Sequence, residues 1–306
     1  MTPASGRGPL RFGVSLAPDA SVPLLRTAQE ADRYGLDLLG VRDRPYRRDT
    51  ADALTLVAAA LAATSRIRVL PAVACLPLRP PAVLAKAVAT MDRLSGGRVE
   101  LGLGAGTSWD GVEAYGGTRP GGACAGSAAA ARRALEEAVQ IIRLHWSDQS
   151  GLRFQGEHYG FTALQAGPAP VHPIGVWLGV TGPRGLDLAG RVADGWIAPS
   201  SLVPPKRLAD GQQRLDDAAA RAGRDPGEIR RVYVLEGSLD ASAEPRGFLH
   251  GPPRQWIYEL TELAIGHRVD SFLFGGRPEQ MAEFALEVVP AVREEIARER
   301  GAPLRA

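Results

Sequence analysis

The chain has 306 residues, 45% of them hydrophobic, and a formal net charge of +2. That supplies a sizeable core and leaves no charge excess pointing to nucleic acid or a membrane surface as a partner. Two cysteines, Cys75 and Cys124, are too few for a disulfide framework or a cysteine metal site, and Met1 to Pro9 is polar and Gly/Pro-rich without the apolar segment of a signal peptide. The expectation is a cytoplasmic chain with a loose tail over 1–9, no bound metal and no membrane span. Lys86 and Lys206 are the only lysines, so the basic charge is almost all arginine; with the abundance of alanine and glycine this reads as bias from a GC-rich genome.

In chain order, Phe12 to Leu16 reads as a strand, and Asp19-Ala20-Ser21 as a cap for a helix over Val22 to Tyr34 ended by Gly35. Leu36 to Val41 is a second strand, followed by the charged turn Arg42-Asp43-Arg44-Pro45-Tyr46. Asp49-Thr50 is placed to cap an alanine-rich helix through Thr64. Arg68 to Ala74 is a third strand, and Pro80-Pro81 opens a helix to Leu94. Val99 to Leu103 is a fourth strand, Gly104 to Gly126 a long glycine-rich insertion loop, and Ser127 to Trp146 a long helix. A small hairpin is expected around Phe154 to Phe161.

Gly175 to Ser200 holds the most informative pattern. The apolar run Val176 to Val180 ends in Thr181-Gly182-Pro183-Arg184, a helix follows, and Trp196-Ile197-Ala198 is the next strand. Proline in a first helical turn and a threonine N-cap place helix amides at the C-terminal end of a strand, where an anion is stabilised. The same pattern also fits a well-capped βα unit whose helix end meets only water. Helices over Pro205 to Ala222 and Pro253 to Ile265, strands Arg231 to Glu236 and Ser271 to Phe274, and a last helix from Pro278, with a break at Pro290, complete the series. Gly237 to Pro253 reads as a loop of lid type.

Short strands apolar on both faces, alternating with helices about eight times, specify a parallel sheet closed as a (β/α)8 TIM barrel in one domain over 1–306. The active face of such a barrel is the C-terminal end of its strands. Asp43, Arg44 and Tyr46 fall there, as do Ala74 and Cys75, then Gly104, Ala105, Gly106, Trp109 and Glu113, then Thr181 to Arg184. No nucleophile elbow appears, and the five histidines form no i, i+4 ligand pair, so the rim offers little to a hydrolase. Apolar wall, glycine-rich backbone and an anion-binding turn suit a flat cofactor that carries its own reactivity.

Several segments resemble, in order and spacing, the bacterial luciferase-like superfamily of flavin- or deazaflavin-dependent oxidoreductases. They are Tyr34 to Val41, Asp43-x-Pro45-Tyr46, Leu76 to Ala85, Leu94 to Arg98, Leu101 to Gly106 with Trp109-Asp110-x-x-Glu113, and Ala193 to Trp196. The resemblance implies a ring over the strand ends and a phosphate at Thr181 to Arg184. It also implies a non-proline cis peptide near Ala72-Val73-Ala74, under the ring, and often a homodimer. One departure stands out: where many relatives have histidine after the turn aspartate, this chain has Arg44, which cannot shuttle a proton near neutral pH. Acid–base work then falls to Glu113, Asp43 or Tyr46, and Arg44 is suited to an anionic ring position or substrate carboxylate.

Each of these residues has a plainer reading. Asp43 and Arg44 can form a loop ion pair, Glu113 can brace its loop, Trp109 and Cys75 can be packing residues, and Arg184 can lie in solvent. The expectation is coenzyme F420-dependent hydride transfer to or from a small organic substrate. The alternatives are a monooxygenase using FMN reduced by a separate reductase, and a non-catalytic flavin-binding protein.

Overall fold

The computed structural model describes residues 9–19, 21–120, 128–147, 149–299 and 301; Ala20, Cys124, most of the tail over 1–9 and the loop end before the long helix lie outside them. The barrel strands are β1 (Arg11–Leu16), β2 (Leu38–Val41), β3 (Arg68–Pro71), β4 (Ala74–Cys75), β5 (Leu101–Gly104), β8 (Val176–Leu178), β9 (Gly195–Pro199), β10 (Arg230–Leu235) and β13 (Ser271–Phe274). All pair in parallel, in the order β3-β2-β1-β13-β10-β9-β8-β5-β4. β3 and β4 are two halves of one stave, separated by a cis Ala72–Val73 bond in the place the resemblance implied. The first half pairs with β2, the second with β5, and a bridge between Val69 and Val99 joins the two ends of the order. Nine strands thus fill eight stave positions of a closed barrel.

Helices α1 (Leu24–Arg33), α2 (Ala53–Ala63), α3 (Pro81–Ser95), α5 (Ala128–Trp146), α6 (Pro183–Val192), α7 (Pro205–Arg221), α8 (Pro253–Ile265) and α10 (Val289–Glu299) cover the outside. Their apolar faces pack against the outward strand residues in one large core that includes Phe12, Leu39, Val57, Leu135, Trp196, Trp256 and Phe284. Inward strand residues form a second, smaller core inside the barrel: Leu38, Leu70, Trp177, Ile197, Val232, Val234 and Leu273, with Ala72 and Val73 packed on it. Two apolar faces per strand are what removed the polar alternation from the sequence.

Several expected boundaries shift for local reasons. Asp52, not Asp49-Thr50, caps α2, accepting from Thr55 N at 2.8 Å. The first helix starts at Leu24 after Pro23 with no side-chain cap, and Asp19 instead closes a turn onto Ser21 N at 2.9 Å. Gly182 rather than Thr181 is the N-cap of α6. The loop after β5 contains a short helix, α4 (Trp109–Ala114), and the expected hairpin is β6 (Leu152–Gln155) with β7 (Gly160–Leu164). Gly237 to Pro253 carries two paired strands, β11 (Ser238–Leu239) and β12 (His250–Gly251). Before α10, the short α9 (Met281–Glu283) widens into a π-helical turn over Phe284–Val288, so the chain stays helical past Pro290, whose missing N–H this irregularity accommodates.

At the opposite, N-terminal end of the strands, His172 is structural. Its Nδ1 lies 2.6 Å from Asp92 Oδ1, its Nε2 3.9 Å from Glu100 and 3.1 Å from Arg68. Glu100 raises the imidazole pKa above its usual 6.5 most, burial opposes, and the charges of Asp92 and Glu100 add while Arg68 subtracts. A folded pKa above the unfolded one gives stability that is complete below pH 6.5 and is lost as pH rises through the folded value. Raising pH from 6 to 8.5 is therefore expected to lower the wild-type Tm by about 1–2 °C more than that of His172→Gln, followed by calorimetry. Equal slopes would remove His172 from the linkage.

Candidate active site at the barrel mouth

The broken stave sets the geometry. Val73 projects against glycines of the two next staves: a Cβ at Gly104 would stand 2.6 Å from Val73 Cγ2, and one at Gly179 2.9 Å from Val73 Cγ1. Only glycine admits this approach, and the result is a low apolar floor on the side of β4, β5 and β8. Gly106, at φ +84°, then turns the chain away past Pro77 and Trp109.

Asp43, at the end of β2, supports this floor from beside it. Its side chain is fully buried and accepts from Cys75 N at 2.9 Å and from Arg79 Nη2 at 3.0 Å and Nε at 3.3 Å. Arg79 also bonds Asp52, the α2 cap. The carboxylate therefore ties β2, β4 and the starts of α2 and α3 together. Arg79 carried no sequence signal for this role, since it sits in a proline-rich connection. The Cys75 thiol is pushed up to about 11, by burial first and by the Asp43 charge second, so it stays protonated at neutral pH.

The α4 segment forms a wall. Tyr46 packs against Gly111, where a Cβ would meet its ring at 2.7 Å. The Arg119 guanidinium lies 5.2 Å over the Trp109 ring, and its Nε is 3.2 Å from Glu113 Oε1. Arg119 is another residue that sequence reading missed; six positions beyond Glu113 in a glycine-rich loop it follows no period. A groove of about 350 Å³ runs beside this wall, lined by Leu76, Pro77, Ala105, Arg119, His158 and Tyr159. The hairpin closes one side, its amides at 157, 158 and 159 held by Glu137.

Across the floor is the N-terminus of α6. Thr181 is half-buried, whereas Gly182, Pro183 and Arg184 are exposed, and a Cβ at Gly182 would meet nothing within 4 Å. Pro183 has no N–H and Gly185 N donates to Gly182 O at 2.9 Å, so the first-turn amide left for a ligand at this end is that of Arg184. A cavity of about 270 Å³ beside it takes in Thr181, Trp196, Arg207, Asp210 and Arg214; Arg214 is engaged by Pro183 O and Asp187. Arg207, from α7, is a cation near the turn that the sequence had not indicated. Arg44, after β2, is exposed. An apolar floor with an open helix N-terminus at its edge fits a planar ring with an anionic tail. No group of three or more His, Cys, Asp or Glu side chains suited to a metal occurs among the described residues, and no helix there is long and apolar enough to cross a membrane.

Residues 11–246 match the family described as luciferase-like monooxygenase. The chain belongs to that family. Among curated relatives of this luciferase-like chain, an F420-dependent glucose-6-phosphate dehydrogenase of Kineococcus radiotolerans is 30% identical over 93% of this chain and 98% of its own. A 5,10-methylenetetrahydromethanopterin reductase of Archaeoglobus fulgidus is 28% identical over 76% of this chain and 65% of its own. Among solved structures, an F420-dependent secondary alcohol dehydrogenase aligns with TM-score 0.80 at 20% identity, covering 94% of this chain and 100% of that one. A monooxygenase from Streptomyces bottropensis aligns at TM-score 0.75 and 19% identity, over 92% and 99%. These two likenesses confirm the barrel as the family's fold.

Proposed function

We propose that this luciferase-like protein is a coenzyme F420-dependent oxidoreductase acting on a small organic substrate. The observation that carries the reading is the pairing of a glycine-and-valine floor with an open helix N-terminus at its edge, and relatives named as F420-dependent support it. When bound, the deazaflavin supplies the site of hydride acceptance or donation. Ala72, Val73, Ala74, Gly104, Ala105 and Gly106 hold its ring, and Thr181, Gly182, Pro183 and Arg184 its phosphate. Tyr46, Cys75 and Trp109 wall the substrate space and exclude water.

Glu113 moves the substrate proton, because it is the half-exposed carboxylate on the α4 wall, and the contact from Arg119 orients it. Asp43 acts on the reaction through position, since its oxygens are occupied by Cys75 N and Arg79. Arg44 provides positive charge at the rim. Anaerobic titration with reduced F420 and with reduced FMN, followed by oxygen, tests the reading. Saturable F420 binding without oxygen consumption is the expected result. Oxygen consumption with FMN alone would assign a monooxygenase, and binding of neither would overturn both. Ring binding with turnover seen only in Arg44→His would mark a non-catalytic cofactor carrier.

A further inference from the structure

The mouth has a second half that the cofactor reading does not use. It is built by β1, β13 and β10, which are consecutive in the barrel, with β2 joining them to the broken stave beside the Val73 floor. Arg42 follows β2 and reaches across this half. Its Nε is 3.4 Å from Ser15 Oγ on β1, and its Nη2 is 3.6 Å from Glu236 Oε1 after β10. Gly275, after β13, brings only backbone to that side; a Cβ there would lie 3.4 Å from Nη2.

The Arg42 side chain is only 28% exposed, yet just one of the five guanidinium N–H groups makes a hydrogen bond among the described residues. The carboxylate contact is single and too long for a hydrogen bond. Burial lowers the Arg42 pKa first, the half-exposed Glu236 carboxylate opposes, and the neighbouring charge of Arg44 lowers it further. A half-buried, under-bonded arginine keeps N–H groups with which an anion can form two parallel N–H···O bonds.

We propose that Arg42, with the charge of Arg44 beside it, recognises an anionic group of the substrate, a carboxylate or phosphate monoester, and that Glu236 competes for the same guanidinium. The proposal rests on the preceding functional reading for where the ring lies; the anion site itself stands on Arg42, Ser15 and Glu236. Arg42 thereby becomes a specificity determinant. It turns the substrate's anionic end toward β1 and β10 and leaves the rest of the molecule over the floor.

Opposite signs make the test. Protein loaded with F420, and the same protein without it, is titrated calorimetrically with inorganic phosphate and with acetate at fixed ionic strength, alongside neutral glycerol. At least one of the two anions is expected to bind saturably, and which one does separates phosphate from carboxylate recognition. Arg42→Gln is expected to weaken that anion about tenfold or more, and Glu236→Gln to strengthen it about threefold. Arg26→Gln, on the remote face of α1, is the control and should match wild type. If Arg42→Gln does not fold, judged by circular dichroism, Glu236→Gln decides alone. Anion affinities within twofold across these variants, or no saturable anion binding by wild type, would overturn the proposal while leaving F420 binding intact. Failure to bind F420 with the anion pattern preserved would overturn only the cofactor reading.

Discussion

Replacing Asp43 by alanine is expected to cost about 3 kcal/mol of stability and to abolish ring binding. The carboxylate is fully buried and takes hydrogen bonds from Cys75 N and from two guanidinium nitrogens of Arg79. Truncation leaves a buried amide and a partly buried cation unsatisfied, and breaking such a pair on one side costs about 3–5 kcal/mol. The lower end applies because Arg79 keeps Asp52 and some exposure. The binding loss follows from position: Cys75 N belongs to β4, the half-stave that carries the floor against β5. Asn at this site keeps an acceptor for Cys75 N but loses the charge facing Arg79, so it should fall between wild type and Ala in both denaturant midpoint and F420 titration. Full F420 affinity in a folded Asp43→Ala protein would show that β4 holds its place without the carboxylate.

The second large effect separates binding from folding. Gly182→Asp is expected to weaken F420 about 30–100-fold while leaving Tm unchanged or slightly higher. Gly182 is the N-cap of α6, at φ −89° and ψ 159°, a conformation open to any residue, with nothing within 4 Å of a Cβ. Aspartate is a good N-cap and complements the helix dipole, so the fold gains a few tenths of a kcal/mol. In the proposed complex the same charge faces the cofactor's phosphate. At about 4 Å and an effective dielectric near 20 the repulsion is about 4 kcal/mol before salt screening, which leaves roughly two to three. Gly182→Ser, a neutral cap, should keep affinity within about threefold. Unchanged binding by the Asp variant would place the phosphate elsewhere.

Much of the barrel was readable because each unit repeats its own local code. Val176–Leu178 is buried on both faces, Pro183 starts a helix, and Ala193-Asp194-Gly195 turns into the next strand; each of these steps is decided within a few residues. Boundaries failed where two local solutions compete. Asp49, Thr50 and Asp52 are all capping residue types, and only the path of the chain into α2 selects Asp52. The α4 helix was hidden inside a glycine-rich run, because six residues give no period to read. Arg79 and Arg119 were missed because an arginine's role depends on which carboxylate it meets, and Asp43 and Glu113 are brought to them by loop geometry.

The sequence by itself determined the alternation of strand and helix, the closed parallel barrel, the family and the stretch of chain at each strand end, because hydrophobic periodicity, proline and glycine act over short range. Only the tertiary structure decided what those ends do together. It split the third stave so that Val73 meets Gly104 and Gly179, occupied Asp43 with a structural task, and set Arg42 against Ser15 and Glu236. Such pairings depend on distances of a few ångströms between residues far apart in the chain. Closure of the barrel fixes those distances, and no local pattern encodes them.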